Sequence, residues 1–518
     1  MSWQEEVDEI RRRVELAKQM GGADNVKRQH DGGKLTVRER IERLLDPGSF
    51  HEYGALAGVP KYDGQKLVEI RPANFVGGTG RINGRRVVVG GDDFTVRGGA
   101  ADASIGGKQG YFERMAHELR MPIVRLVDGT GGGGSVRTFE SMPRTYVPAN
   151  PAWDVVVKTM AEVPVVAGCM GSVAGIGAAR VAASHFSVMV RGTSQLFVAG
   201  PPVVKYGTGE DLDKEQLGGA EIHAHGSGAV DNEAESEDDA FEQIRRFLSY
   251  LPQSVWQAPP RATPSDDPHR REQELLSVIP RNRRHPYDAR RILELVMDRE
   301  SLFEMAPHFG PSLITAFARL DGYPVGVMAN DPYHIAGSLD TPASDKMVKF
   351  VDLCDTFHLP VVNFVDQPGF LIGREAEMAG VIRHGVRALF AVFQTVTPWV
   401  AIMVRKAFGV AGAGHGVTTG LNLRYAWPSG DWGSLPIEGG IEAAYKRDLA
   451  AATDPEKLRR EIEEKFNAIR SPLRTAESFG IEEIIDPRDT RALLVEWVHQ
   501  AYEIVPTQLG IRTRTMRP

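Results

Sequence analysis

Two glycine-rich segments hold the most chemical potential in this chain: Gly171 to Ala178, GSVAGIGA, and Phe408 to Gly416, FGVAGAGHG. Each follows an apolar run that reads as a strand and opens a run that reads as a helix. Glycine permits a tight turn and lets a ligand come close to the backbone. A helix N-terminus presents unpaired N–H groups and a partial positive charge. Such a turn can hold an oxygen that becomes negative during a reaction, without any catalytic side chain. The same composition also suits close packing of a helix on a strand, and a single copy leaves the two readings even. Two copies favour chemistry, because the same device is then available twice.

The surrounding elements repeat too. Arg81 to Asp93, RINGRRVVVGGDD, matches Arg319 to Asp331, RLDGYPVGVMAND, and the same offset aligns Met121 to Asp128, MPIVRLVD, with Leu359 to Asp366, LPVVNFVD. LLDPGSFHE around Asp46 resembles LVMDRESLFE around Asp298, and the segment at Pro164, VPVVAGCM, resembles that at Pro398, TPWVAIMV. Matched blocks in one order imply two copies of one domain. Within each copy, β-branched runs such as VVVGG and VGVMAN read as buried strands. GKQGYFERMAHELR and DKMVKFVDLCDTF read as helices, so each copy is expected to form βαβ units on a largely parallel sheet. Thr36 and Glu39 form a capping-box pattern before a helix carrying Ile41, Leu44 and Leu45. Prolines 252, 259, 260, 264 and 268 mark the junction. The expected domains are residues 1–255 and 280–518, with a proline-rich linker over 256–279.

The bulk numbers agree. A chain of 518 residues is too long for one core, since single cores stop growing near about 250–300 residues. A net charge of -7 without a basic run argues against nucleic acid as a partner. Two cysteines cannot build a disulfide framework, which points to a reducing compartment, the cytoplasm. No apolar run approaches the length of a membrane span. GGAADASIGGKQ fails as a phosphate loop, because Asp102 and Gln109 stand where glycine and Ser or Thr are needed. There is no strand-bound GxGxxG, no GxSxG elbow and no biotin-attachment site. His223 and His225, two apart and with no second ligand cluster, read as a packed or hydrogen-bonding pair, so no bound metal is expected.

Longer motifs carry a family resemblance over nearly the whole chain. LTVRERIERLLDPGSFHEYG at Leu35, GDDFTVRGGA at Gly91 and LFVAGPPVVKYGTGEDLDKEQLGGAEIHAHGSG at Leu196 are followed in order by HPYDARRI at His285, FVDQPGFLIG at Phe364, GVIRHG at Gly380, RKAFG at Arg405 and IIDPRDTR at Ile484. Together they resemble the carboxyltransferase β subunits of propionyl-CoA and methylcrotonyl-CoA carboxylases.

The resemblance implies an α/β fold of two tandem crotonase-like (ClpP/crotonase) domains related by internal duplication, assembled as a hexamer. It implies transfer of a carboxyl group from carboxybiotin to an acyl-CoA, with biotin supplied by a partner carrier protein or domain and charged by a biotin carboxylase. The N-terminal turn is then the acyl-CoA side, holding the thioester oxygen through the amides of Gly175 and Ile176. The C-terminal turn is the biotin side, holding the ureido oxygen through Val410 and Ala411. Lys108 aligns with a lysine near the CoA phosphates. Ala413 replaces an aspartate linked to short-acyl choice, the DSGGARIQEG block becomes DGTGGGGSVRTFE at Asp128, and the VMGPEGA block becomes SLPIEGGIEA at Ser434. These departures imply an acyl group other than propionyl. Two further readings share the fold: the α subunit of a biotin-dependent acyl-CoA decarboxylase, and a non-catalytic assembly subunit.

Overall fold

The computed structural model describes residues 2–100, 105–129, 144, 145, 147, 149, 150, 152–416, 421, 423–467 and 469–518. Residues 101–104 of the phosphate-loop look-alike and 130–140 of the DGTGGGGSVRTFE block lie outside them. The chain forms two compact units, Met1–Trp256 and Gln257–Pro518.

In the first unit the elements that build the sheet and the site run, in chain order, α1 (Val37–Leu44), β1 (His51–Glu52), β2 (Phe75–Ile82), β3 (Arg85–Asp92), α2 (Lys108–Glu118), β4 (Ile123–Val127), α3 (Trp153–Glu162), β5 (Val165–Cys169), β6 (Ser172–Ala174), α4 (Ile176–Ala182), β7 (Phe186–Val190), β8 (Gln195–Phe197), β9 (Asn232–Ala234) and α5 (Glu237–Tyr250). Strands β1-β2-β3-β4-β5-β7-β9 form one sheet in that order, and β6 pairs with β8 separately. The β1–β2 and β2–β3 pairs are antiparallel, and all later pairs are parallel. The capping box at α1 is present: the Thr36 hydroxyl accepts from the Glu39 N–H, and the Glu39 carboxylate accepts from the Thr36 N–H.

The second unit repeats this plan with α6 (Ala289–Val296), β10 (Phe303–Met305), β11 (Leu313–Leu320), β12 (Tyr323–Asn330), α7 (Thr341–Thr356), β13 (Val361–Gln367), α8 (Val381–Gln394), β14 (Trp399–Phe408), α9 (Gly409–Ala413), β15 (Leu423–Ala426), β16 (Asp431–Gly433), β17 (Glu483–Ile484) and α10 (Thr490–Ile504). Its sheet order is β10-β11-β12-β13-β14-β15-β17, with β16 also on β14. Again two antiparallel pairs precede the parallel ones. Every residue of β4 and β13 is buried, as expected of central parallel strands covered on both faces.

The repeat extends to single hydrogen bonds. The β2–β3 turn carries Asn83 (φ 50°) and Gly84 (φ 78°), and the β11–β12 turn carries Asp321 (φ 48°) and Gly322 (φ 79°). Positive φ at both central residues is the hairpin turn that matches strand twist. The Asp46 carboxylate accepts from the N–H groups of Asn83 (2.9 Å) and Gly84 (2.8 Å), and Asp298 does the same for Asp321 (3.1 Å) and Gly322 (2.8 Å). The resemblance of the Asp46 and Asp298 segments thus has a physical cause.

From Gln257 onward the proline-rich stretch is part of the second unit. Ala262 donates to the Gly322 carbonyl at 2.9 Å, Arg270 donates to the carbonyls of Leu295 and Met297 at 2.8 Å each, and Leu275 is buried in that unit's core. No helix among the described residues is long and apolar enough to cross a membrane.

Candidate active site

The first glycine turn lies between β5 and α4. Gly175 is the N-cap of α4, with φ 61° and ψ −125°, a backbone conformation that side chains disfavour. It is exposed, and Ile176 beside it is half-buried. The Gly175 N–H donates to the Phe197 carbonyl at 3.2 Å, which extends the β6–β8 pairing by one bond. The following amides, those of Ile176 and Gly177, begin the helix and have no intrahelical acceptor.

A buried ionic cluster backs this turn. Asp128, just past β4, accepts from Arg40 at 2.8 Å, Gln29 at 3.1 Å and Lys34 at 3.2 Å. Arg40 also meets Glu237 through Nε and Nη2, both at 2.8 Å, and donates to the Met170 carbonyl at 3.0 Å. A Cβ on Gly171 would stand 2.0 Å from Asp128 Oδ1, so only glycine fits there. Gly171→Ala is expected to lower stability by about 1–3 kcal/mol through this overlap. Denaturant titration measures it, and an unmoved midpoint would show that the carboxylate gives way freely.

The second turn lies between β14 and α9. Gly409 has φ 61°, like Gly175. Counted from the matched prolines Pro164 and Pro398, Gly409 stands where Gly175 does, Val410 where Ile176 does, and Ala411 where Gly177 does. Val410 is 63% exposed and Ala413 is exposed, whereas Ala411 and Gly412 are buried. The carbonyls of Val410 and Ala411 both accept from the Gly414 N–H at 3.1 Å, which closes the short helix. The SLPIEGGIEA segment approaches here: a Cβ on Gly409 would lie 3.3 Å from the Ser434 carbonyl oxygen.

Two buried networks support this turn. Where the β13–β14 register shifts, Asp366 accepts from Arg405 Nε (2.9 Å), the Tyr287 hydroxyl (3.0 Å) and the Lys406 N–H (3.0 Å). Behind α9, His415 is fully buried; Asn363 Nδ2 lies 2.8 Å from its Nδ1 and 3.3 Å from its carbonyl oxygen, which also accepts from Trp399 Nε1 at 3.1 Å. Burial lowers the His415 pKa from 6.5 to about 4. The unfolded chain therefore binds a proton that the folded one refuses between these values. Stability is full above about pH 6.5 and is lost as pH falls towards 4, by up to about 3 kcal/mol. Urea midpoints across that range should show the slope, and His415→Gln should flatten it.

Lys108 is the first residue of α2, and its ammonium donates to the Gly54 carbonyl at 3.0 Å. Burial lowers its pKa, with Glu52 opposing and Arg38 adding to the effect. A small cavity beside it is lined in part by Arg38, Glu52, Asp93 and Lys108. His223 Nε2 faces the Leu196 carbonyl at 2.7 Å and so carries the proton, while Nδ1 meets the Ser227 hydroxyl at 3.0 Å. His225 pairs with Glu233 at 3.2 Å. Burial pushes the Cys169 thiol up to about 12, which leaves it inert beside the first turn. Among the described residues, the two matched turns thus offer paired backbone donors rather than an activated side chain.

The carboxyl transferase domain model matches residues 28–505. The chain is 35% identical over 506 residues to the propionyl-CoA carboxylase carboxyltransferase subunit of Haloferax mediterranei, covering 96% of each. It is 34% identical to the methylmalonyl-CoA decarboxylase subunit alpha of Veillonella parvula, covering 95% of each. A transcarboxylase 12S crystal structure, a hexamer with methylmalonyl-coenzyme A bound, superposes with a TM-score of 0.87 and 31% identity over 100% of this chain and 98% of that one. Matched end to end in sequence and in fold, the chain belongs to the carboxyl transferase family of biotin-dependent acyl-CoA carboxylases, two crotonase-fold halves that move a carboxyl group between biotin and an acyl-CoA.

Proposed function

We propose that the two glycine turns are the two oxyanion holes of this transfer, one for each oxygen that becomes negative. The single observation that carries this reading is the recurrence of one positive-φ glycine, Gly175 and Gly409, at the head of a helix in each unit. The first turn holds the acyl-CoA thioester oxygen. The family resemblance implies Gly175 and Ile176 as its donors. Because the Gly175 N–H is committed to Phe197, the open pair begins one residue later, at Ile176 and Gly177. These match Val410 and Ala411, which hold the biotin ureido oxygen in the second turn. Biotin, delivered on a partner carrier protein or domain, supplies the labile carboxyl group and the nitrogen base. A hole donor is typically worth about 3–4 kcal/mol, so this chain contributes mainly amides.

Lys108 lies on the CoA side, where rotation away from Gly54 would free its charge for a CoA phosphate. Ala413, exposed at the end of α9, lines the acyl pocket and favours an acyl group other than propionyl. The assembly is a hexamer, as in the transcarboxylase 12S structure, and it works in the cytoplasm with biotin carboxylase and the biotin carrier as partners. The same holes serve either direction, so the likeness to a decarboxylase α subunit keeps net decarboxylation as a second reading.

The test uses the purified chain, free biotin and malonyl-, methylmalonyl- and methylglutaconyl-CoA. Biotin-dependent loss of the carboxyl group from one thioester names the acyl class. Methylmalonyl-CoA as the best substrate would overturn the reading of Ala413. Inertness towards all three would favour an assembly subunit.

A further inference from the structure

Arg125 is an anomaly in its strand. It is 1% exposed in β4, IVRLV, where every neighbour along the chain is apolar. In register beside it are Gly90 on β3 and Ala167 on β5, whose small size leaves room for a guanidinium. A buried arginine is costly unless it is paired. Glu113 of α2 meets that need through Nε and Nη2, both at 2.8 Å. Charge balance requires nothing more, yet Nη1 also donates to the carbonyls of Arg180 (3.1 Å) and Ala183 (2.6 Å). These carbonyls belong to the C-terminal end of α4, the helix whose first amides form the first turn. A cation is favoured there by the helix dipole.

The second unit has its own version of this contact. Asn363 occupies the place in LPVVNFVD that Arg125 holds in MPIVRLVD. It is fully buried in β13, in register with Met328 and Ala401. Its Nδ2 donates to the His415 carbonyl at 3.3 Å, two residues beyond the end of α9, and contacts His415 Nδ1 at 2.8 Å. The partners differ, one a charged fork at the end of α4 and the other a neutral amide on the chain just past α9, but both hold the segment that follows the glycine turn.

We infer that Arg125 and Asn363 are matched positioning residues, each seating one oxyanion-hole helix against the sheet: Arg125 through carbonyls at the C-terminal end of α4, Asn363 through the His415 carbonyl just past α9. Neither touches a reacting atom, and the inference rests on the assignment of the turns proposed above. Helix α4 is only about 10 Å long, so a shift at its far end carries the leading amides with it. A displacement of about 1 Å at a reacting centre can cost on the order of 100-fold in rate.

The test reads hole geometry directly, by the infrared carbonyl stretch of saturating [1-13C]acetyl-CoA bound to the full chain. The wild type should show a red-shifted stretch. The Arg125→Met/Glu113→Gln protein loses the pair together, so no carboxylate is stranded, and Arg180, 3.8 Å from Glu113, keeps Asp92 at 4.0 Å. It should bind acetyl-CoA with little change in affinity, lose most of the red shift, and lower kcat for transfer to free biotin by on the order of 10- to 100-fold. Asn363→Leu should leave the thioester band as in the wild type and still lower kcat. If the double variant does not fold, Arg125→Lys carries the test, since an ammonium cannot span Glu113 and two carbonyls at once. A folded Arg125 variant with the full red shift and an unchanged kcat overturns the inference, as does an Asn363→Leu protein that moves the thioester band. A wild type without any red shift overturns the assignment of the turn, and this inference with it.

Discussion

Arg40→Met is expected to lower the stability of the first unit by about 3–5 kcal/mol, the usual result of removing one partner from a buried ionic cluster. Arg40 is fully buried, and its fork joins Asp128 and Glu237 while also reaching the Met170 carbonyl. Without it, among the described residues, the Asp128 carboxylate keeps Gln29 and Lys34, both at more than 3 Å, and Glu237 keeps the Leu35 N–H at 3.3 Å. Two carboxylates then remain in a poor environment. A domain's whole stability is about 5–15 kcal/mol, so the loss is a large share. Urea unfolding is the measurement. Neutralising the carboxylates as well, in Arg40→Met/Asp128→Asn/Glu237→Gln, should recover part of it. A single variant within about 0.5 kcal/mol of the wild type, the range of ordinary surface changes, would mean that the cluster is solvated in solution.

Ala411→Pro should depress carboxyl transfer by on the order of 100- to 1,000-fold, because proline removes one proposed donor of the second hole. The first turn of a helix tolerates proline, so the fold should survive, although Val410 before it is pressed towards extended backbone. Binding of an acyl-CoA, assigned to the first unit, should change little. The comparison is therefore internal: kcat for transfer to free biotin against acyl-CoA affinity on the same protein. Parallel loss of both would break the division of labour between the two turns.

Much of the architecture was legible because it is local. The strand runs, the capping box at Thr36 and the duplicated order of elements all follow from residues within a few positions of one another. The paired turns were legible because glycine recurs where a side chain would be strained. What was hidden depends on contacts distant in sequence. Nothing local says that the Gly175 amide is taken by the Phe197 carbonyl. Arg125 left a trace as a charge inside an apolar run, but its reach to Arg180 and Ala183 is a tertiary fact. Asn363 left less, since a neutral amide disturbs a strand pattern little. The prolines of 256–279 predict an extended connector, yet from Gln257 onward the stretch belongs to the second unit. Proline limits φ and removes a donor, but it does not prevent neighbours such as Arg270 and Leu275 from packing.

The duplicated hairpins have a consequence for how the chain reaches its native state. Each closes from nearby residues, on a timescale of about 1–10 µs for an isolated hairpin. During synthesis β2 and β3 emerge and pair long before β11 and β12 exist, so the ribosome separates two similar templates in time. A chain diluted from urea has no such ordering, and strands of one copy can meet those of the other. Spontaneous refolding is therefore expected to return less transfer activity than the protein had before denaturation, with the deficit in misregistered chains rather than in chemically damaged ones.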